Sequence, residues 1–297
     1  MEEKVLVTGA SGLIGFELCK QLHQQGYNVT AVDSGFRYND KPDCNHFVKK
    51  NVIEFVESSQ NDFNYIFHMG NINGTKYFYT IPNKLIKDNI KTDFAVFDYA
   101  NKNPKCKLIY ASSSEVIAGA NAFPTKEYNT ITIENIHNPR WSYRLGKLVA
   151  ENYLVNSNLN YLIIRFFNVY GERSGKGHFV RDILDKLNKN NYEIIGSDET
   201  RCFCYVADAV DAVLKIKDTS NEIVNVASDE EIKILDAANL IARSINKKNI
   251  KWKTIKGMEG SAKRRKPDLN KLKKLYPSFQ PKLFKDVFNN IEFKNND

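Results

Sequence analysis

The stretch Val5–Gly15, VLVTGASGLIG, places three glycines, Gly9, Gly12 and Gly15, directly after a short apolar run. Glycine loses more backbone entropy on folding than any other residue, so three in close succession are costly in a regular element. A strand that turns into a helix brings free backbone N–H groups and the positive end of the helix dipole to one point. The stretch therefore predicts a strand-to-helix turn whose backbone approaches an anionic ligand closely.

The next apolar run, YNVTAVD, ends in Asp33. In a βαβ unit a carboxylate at this place can accept hydrogen bonds from an adenosine ribose, while the pyrophosphate lies on the helix N-terminus. A free carboxylate would repel a 2′-phosphate, which favours NAD over NADP, although the nearby Arg37 keeps NADP open. The residues that we predict to bind this cofactor are Gly9, Ser11, Gly12, Leu13, Ile14, Gly15 and Asp33.

Short β-rich runs alternate with helical periods through the first half of the chain. KVLVTG, NVTAVD, YIFHMG and KLIYASS have the apolar character of buried parallel strands. This alternation predicts an α/β fold with a doubly wound (Rossmann) parallel sheet. Further strands are expected at NYLIIRFFNVYG and EIVNVAS, and the looser pattern from about Gly171 onward indicates a smaller mixed α/β domain over the sheet's carboxyl edge.

The composition of the chain bears on whether it is a membrane, secreted or metal-binding protein. The 297 residues are 42% hydrophobic and 26% charged, and no apolar run of about 18 residues occurs, so we expect no membrane span. The start, MEEKVLVTGA, lacks the pattern of a secretory signal. Cys202 and Cys204 would share one face of a strand, and no second Cys or His pair lies at zinc-site spacing. We therefore expect a cytoplasmic protein without a metal site.

The net charge of +8 allows a nucleic-acid partner in principle. The basic residues are mostly spread out, however, and neither a helix-turn-helix nor an RNA-binding signature is visible. A positive surplus also suits an enzyme whose ligands are diphosphates, because it steers them in. We prefer this interpretation and expect no nucleic-acid partner.

The segment WSYRLGKLVAENY places Tyr143 and Lys147 four residues apart, on one face of a helix. A phenol has an unperturbed pKa of about 10, and a nearby ammonium lowers that pKa because it favours the phenolate. The pair can therefore supply a general base for an alcohol that is being oxidised. A serine cluster at a strand end, in KLIYASSSEVIAG, supports this interpretation.

With its GxxGxxG spacing, TGASGLIG resembles the extended short-chain dehydrogenase/reductase family, the nucleotide-sugar epimerases and dehydratases, and the resemblance covers almost the whole chain. It implies that Tyr143 takes a proton from a sugar hydroxyl, Lys147 holds Tyr143 ionised and binds the nicotinamide ribose, and Ser113 orients the sugar oxygen. The implied reaction is hydride transfer from C4 of a nucleoside-diphosphate sugar to NAD. This is the first step of epimerisation or dehydration in surface-polysaccharide sugar biosynthesis.

Three further segments match the family. RFFNVYGER looks like the segment RxxNVYG and implies that Asn168 contacts the diphosphate. ETRCFCYVADAV and RRKPDLNKLKKLYPSFQPK match segments in which Arg201 and Arg265 would clamp the phosphates. A guanidinium suits that role through its bidentate geometry.

The chain departs from the family after the fourth strand. The family usually has His-x-Ala-Ala there, whereas this chain has HMGNING from His68 to Gly74. We expect His68 to be a packing residue, and the neighbouring Asn73, Thr75, Lys76 and Tyr77 to reach the sugar.

The pair Ser114-Glu115 bears on the fate of the 4-keto sugar. dTDP-glucose dehydratases carry Asp-Glu here, whereas Ser-Glu resembles the UDP-glucuronate decarboxylases and the GDP-mannose type of dehydratase. In this interpretation Glu115 is catalytic and Ser114 touches the substrate; alternatively Glu115 is structural and bonds a backbone N–H. Epimerisation, dehydration, decarboxylation and reduction all stay open.

We predict two domains. Residues 1–168, joined by about 204–228, form the NAD-binding domain, and residues 169–203 with 229–297 form the nucleotide-sugar-binding domain. The resemblance also implies a homodimer joined through the helix that bears Tyr143 and the long helix before Pro104. A dinucleotide-binding sensor or scaffold without catalysis is the non-enzyme alternative, against which the set Ser113, Tyr143 and Lys147 argues.

Overall fold

The computed structural model describes residues 2–133 and 135–290. The strands are β1 (Lys4–Thr8), β2 (Asn28–Asp33), β3 (His46–Lys49), β4 (Tyr65–His68), β5 (Lys107–Ser113), β6 (Asn160–Phe166), β7 (Val169–Tyr170), β8 (Glu193–Ile195), β9 (Thr200–Cys202), β10 (Cys204–Tyr205), β11 (Glu222–Val226), β12 (Glu231–Lys233) and β13 (Lys253–Ile255). The helices are α1 (Leu13–Gln24), α2 (Val52–Ser58), α3 (Thr75–Thr80), α4 (Pro82–Asn101), α5 (Trp141–Val155), α6 (Phe179–Asn188), α7 (Val206–Ile216), α8 (Ile234–Ser244), α9 (Asn270–Leu275) and α10 (Phe284–Asn290), with a 3-10 turn at Ser114–Ile117.

A seven-stranded parallel sheet forms the centre of the molecule, in the order β3-β2-β1-β4-β5-β6-β11. The predicted doubly wound α/β fold is thereby confirmed. The chain leaves β1 in one direction and returns to its other side at β4. The carboxyl ends of β1 and β4 consequently flank a crevice, which is where such sheets bind ligands.

Both faces of the sheet are covered by helices, as continuous apolar strands require. On one face, α2, α4 and α5 bury Phe55, Phe97 and Leu154 against the strands. On the other face, α1 and α7 pack on each other and bury Leu18 and Val213. The functional loops therefore stand on a rigid, two-sided core.

Strand β3 is absent from the sequence-based prediction. It pairs with β2 at the edge of the sheet, with Asp33 opposite Lys49. Two of its four residues are exposed, and it follows a polar loop, so no apolar run marks it. Only the pairing with β2 makes this segment a strand.

The second half of the chain contains three two-stranded sheets, β7 with β10, β8 with β13 and β9 with β12. Strand β11 nevertheless lies in the large sheet beside β6, and α7 packs on α1. Both elements fall within the segment assigned to the NAD-binding domain, whose limits stay a prediction. Residues 291–297 of the second predicted domain lie outside the described residues. None of the helices within residues 2–133 and 135–290 is long and apolar enough to cross a bilayer.

Candidate active site

The glycine turn after β1 has no room for side chains. Gly9 has φ +66°, and a Cβ there would lie 2.7 Å from the Cα of Gly70. A Cβ on Gly15 would lie 2.2 Å from the carbonyl oxygen of Gly9. Helix α1 begins behind Gly12, which supplies no side-chain cap. The N–H groups of the first turn are therefore available to an anion, as a dinucleotide pyrophosphate requires.

The end of β2 is fixed by hydrogen bonds from the backbone. The Asp33 carboxylate accepts from the N–H of Ser11 at 3.0 Å and from that of Gly35 at 2.8 Å. Arg37 instead donates to the carbonyl of Asn73 and lies 3.4 Å from Nε2 of His178. The Arg37 guanidinium therefore makes these contacts and none with Asp33. This arrangement supports NAD rather than NADP.

A cleft of about 800 Å³ runs along the carboxyl edge of the sheet. It brings together most of the residues predicted from the sequence: Gly9, Gly12, Leu13, Ile14, Gly15, Asp33, Ser113, Ser114, Glu115, Tyr143, Lys147, Asn168, Arg201 and Arg265. Ser11 is buried beneath the turn, where its hydroxyl donates to the carbonyl of Asp40 at 3.0 Å.

Lys76 and Tyr77 are placed differently from the expectation that they reach the sugar. The side chains of α3 that line the cleft are Thr75 and Phe78. Lys76 is exposed, and the Tyr77 ring packs on Phe36 with centroids 5.8 Å apart. The helical turn, which the linear sequence does not resolve, decides which of these neighbours face the cleft.

Tyr143 lies in the first turn of α5 and is buried. Its ring stacks on Phe78, with centroids 4.8 Å apart and an interplanar angle of 20°. Burial raises the pKa of the phenol well above its usual value, and the hydrogen bond to Ser113 acts in the opposite direction. Ser113 is therefore the neighbour that favours the phenolate by direct contact.

Lys147 lies one turn further along α5, and its ammonium is fully used. It donates to the Asn71 amide oxygen, to the Tyr110 hydroxyl at 3.1 Å and to the carbonyl of Ala111 at 2.6 Å. Burial lowers the pKa of Lys147 to about 8, although the charge of Asp93 acts against that shift. The motif in the sequence identified Lys147 but none of these partners.

Three arginines surround Glu115, which is buried. Arg140 donates from Nε at 2.8 Å and Arg144 from Nε at 3.0 Å, and Arg265 also donates to this carboxylate. Burial alone would raise the pKa of Glu115, but these guanidiniums hold it well below its usual range. Arg140 and Arg144 escaped the sequence analysis, although their spacing of four around Tyr143 places them on one helix face.

The far end of the cleft has more positive than negative charge. Arg201 donates to Ser261 at 2.9 Å and pairs with Glu199. Burial lowers the pKa of Arg265 to about 9, although Glu115 raises it, and Arg201 lowers it further. Within the described residues, the Nε of Arg265 is a buried N–H donor without a hydrogen-bond partner. This end of the cleft therefore suits an anionic ligand.

Comparisons with known proteins identify the family of this chain. A sequence profile of the NAD dependent epimerase/dehydratase family matches residues 5–227. UDP-N-acetyl-alpha-D-glucosaminuronate decarboxylase of Bacillus cytotoxicus is 30% identical, over 93% of this chain and 92% of that protein.

Two solved structures have the same fold. UDP-glucose 4-epimerase of Thermotoga maritima, with UDP-glucose, superposes with a TM-score of 0.84 at 23% identity, over 96% of this chain and 97% of that one. UDP-glucuronic acid 4-epimerase of Bacillus cereus, with UDP-glucuronic acid and NAD, gives 0.83 at 22% identity, over 96% of each chain. This chain therefore belongs to the NAD dependent epimerase/dehydratase family, and NAD is its cofactor.

Proposed function

We propose that this enzyme oxidises C4 of a nucleoside-diphosphate sugar and that a carboxylate at C6 is then lost as carbon dioxide. The observation that carries the proposal is the buried Glu115 with its three arginines, beside Ser113 and Tyr143 in one cleft. The 30% identical decarboxylase from Bacillus cytotoxicus supports it.

The oxidation step uses Tyr143 and Ser113. The Tyr143 oxygen accepts the proton of the C4 hydroxyl, while Ser113 holds the sugar oxygen and stabilises the phenolate. Lys147 lies on the same helix face as Tyr143 and contributes a positive charge to the site. The glycine turn and Asp33 would hold NAD, which when bound accepts the hydride from C4.

The diphosphate is assigned to the positive end of the cleft. Arg201 and Arg265 offer guanidinium donors, and the unpartnered Nε of Arg265 needs an acceptor that a phosphate oxygen supplies. Asn168, held at φ +37°, lies in the same cleft. These three residues would fix the nucleotide while the sugar extends towards Tyr143.

The charge state of Glu115 bears on the fate of the oxidised sugar. Dehydration requires a base that removes the proton from C5, and a carboxylate whose pKa is held well below its usual range is a weak base. Decarboxylation requires no such base. The C5–C6 bond breaks, its electron pair is delocalised onto the C4 carbonyl oxygen, carbon dioxide leaves, and a proton then adds at C5. Return of the hydride to C4 would then restore the hydroxyl and the oxidised cofactor. The geometry therefore favours decarboxylation over a dehydration that depends on Glu115.

A panel of sugar nucleotides tests this proposal. Purified protein with NAD would be incubated with UDP-glucuronate, UDP-N-acetylglucosaminuronate, UDP-glucose and dTDP-glucose, and the products read by mass spectrometry and NMR. We expect loss of carbon dioxide from at least one of the uronates. An unchanged mass with inverted C4 would show an epimerase instead, and loss of water would show a dehydratase.

We also propose that the protein is cytoplasmic and forms a homodimer. The five cysteines are free thiols, which suits a reducing compartment.

The dimer is proposed to form through helices α4 and α5, which pack side by side. Val149 and Val155 of α5 are 41% and 47% exposed. We expect sedimentation equilibrium to give the mass of a dimer, and Val149→Asp to give that of a monomer. A monomeric wild-type protein would contradict the dimer.

A further inference from the structure

A buried carboxylate that the mechanism above does not use lies beneath the catalytic helix. Asp93 is on α4 and is completely buried. It accepts hydrogen bonds from Nε2 of His68 at 2.9 Å, from the Asn71 amide at 3.0 Å and from the Tyr110 hydroxyl at 2.8 Å. His68 in turn accepts from the Thr8 hydroxyl at 2.7 Å. The carboxylate is therefore held by donors from three neighbouring segments of the sheet edge.

Two of these donors also contact the catalytic lysine. Asn71 accepts from Lys147 through its amide oxygen while its NH₂ group donates to Asp93. The Tyr110 hydroxyl accepts from Lys147 at 3.1 Å and donates to Asp93. The Lys147 ammonium is thus connected to the carboxylate by two single-residue bridges. These two bridges fix the direction of the Lys147 side chain. They also hold the charge of Asp93 close to its ammonium.

We propose that Asp93 is the positioning residue of Lys147, which keeps the buried ammonium protonated and directs it, through Asn71 and Tyr110, into the cofactor cleft. No proton is transferred along the network, because the effect is that of a fixed charge and fixed acceptors. The proposal rests on the catalytic role proposed above for Lys147.

The other acidic groups around Lys147 are less able to keep its ammonium protonated. Glu151, one turn further along α5, also favours the charged lysine, but it is bound bidentately by Arg165 at 2.9 and 2.6 Å. Glu115 is neutralised by its three arginines. The Tyr110 hydroxyl carries no charge, because burial raises the pKa of this phenol well above its usual value. Asp93, by contrast, accepts from the uncharged Asn71 amide and Tyr110 hydroxyl and from the His68 ring.

Burial explains why the lysine needs this partner. Desolvation disfavours a buried ammonium and brings the pKa of Lys147 down to about 8, with Asp93 as the foremost group that raises it. Burial would raise the pKa of Asp93 itself, yet Lys147 and His68 keep it below its usual value. The two groups therefore stabilise each other's charge.

Asp93→Asn tests the proposal because it removes the charge with little change in shape. The holoenzyme would be prepared with isotopically labelled lysine, and the signal of Lys147, identified by its loss in Lys147→Met, followed against pH by NMR. We expect the titration midpoint to fall by about one unit or more, which is a tenfold change in the ratio of charged to neutral lysine. Where a sugar nucleotide is turned over, we expect kcat to fall about tenfold at pH values above the wild-type midpoint of Lys147 and only about twofold near pH 7, its alkaline limb to move to lower pH, and KM to stay the same.

Asp211→Asn is the matched control, because Asp211 also lies on a helix and accepts a tyrosine hydroxyl, that of Tyr276 at 2.9 Å, far from the cleft. We expect it to leave the Lys147 midpoint unchanged. If Asp93→Asn does not fold, Asp93→Ser, which leaves room for a water, makes the same comparison. A midpoint in the Asp93 variant equal to that of the wild type would overturn the proposal. The NMR measurement requires no substrate, so a wrong assignment of the reaction would not obscure the result.

Discussion

Replacing Tyr143 with phenylalanine is expected to lower kcat about a thousandfold while NAD binding is retained. In the proposed mechanism the phenol oxygen accepts the sugar proton, whereas the ring makes the stacking contact with Phe78. Phe keeps that contact and removes only the oxygen. The measurements are turnover of the active sugar nucleotide and NAD affinity by titration calorimetry.

Tyr153→Phe provides the control for this prediction. Tyr153 is on the same helix, but its ring packs on Phe94 and Phe97, with centroids 4.8 and 5.5 Å apart, away from the cleft. We expect this variant to keep nearly full activity. If Tyr143→Phe retained more than a tenth of the wild-type kcat, Tyr143 could not be the base.

Replacing Glu115 with glutamine is expected to lower the free energy of unfolding by about 3–5 kcal/mol, since it leaves buried guanidiniums without their counter-charge. Arg140, Arg144 and Arg265 all point at this one carboxylate. Chemical denaturation at pH 7 measures the loss. The control is Glu193→Gln, which breaks the pair with the exposed Lys253. A surface pair of that kind contributes about 1 kcal/mol or less.

The same cluster predicts how stability depends on pH. The pKa of Glu115 in the folded protein lies well below its usual value. Its contribution is therefore fully present above the unfolded-state pKa of about 4.3 and is lost as the pH falls towards the folded-state value. The wild-type protein should lose its advantage over Glu115→Gln across that acid range. An equal difference between the two proteins at pH 7 and pH 3 would show that the glutamate does not act through its charge.

The sequence predicted the site residues best where the interactions are local. The glycine turn, Asp33 at the end of β2, and Tyr143 and Lys147 one turn apart were found from their spacing together with the βαβ pattern, the serine cluster and the family resemblance, and the cleft contains all of them. Turn geometry and helical period act over a few residues, so the chain displays them directly. Strand β3 was missed because its pairing with β2, and not its own composition, makes it a strand.

The sequence by itself determined the Rossmann sheet, the glycine turn and the positions of the side chains proposed to be catalytic. Only the tertiary structure decided the partners of Glu115 and Lys147. Arg265 is 150 positions from the carboxylate it contacts, and Asp93 reaches Lys147 through residues of two other segments. Charges act strongly when folding removes them from water and sets their distances, and neither burial nor distance between remote segments can be read from a linear pattern.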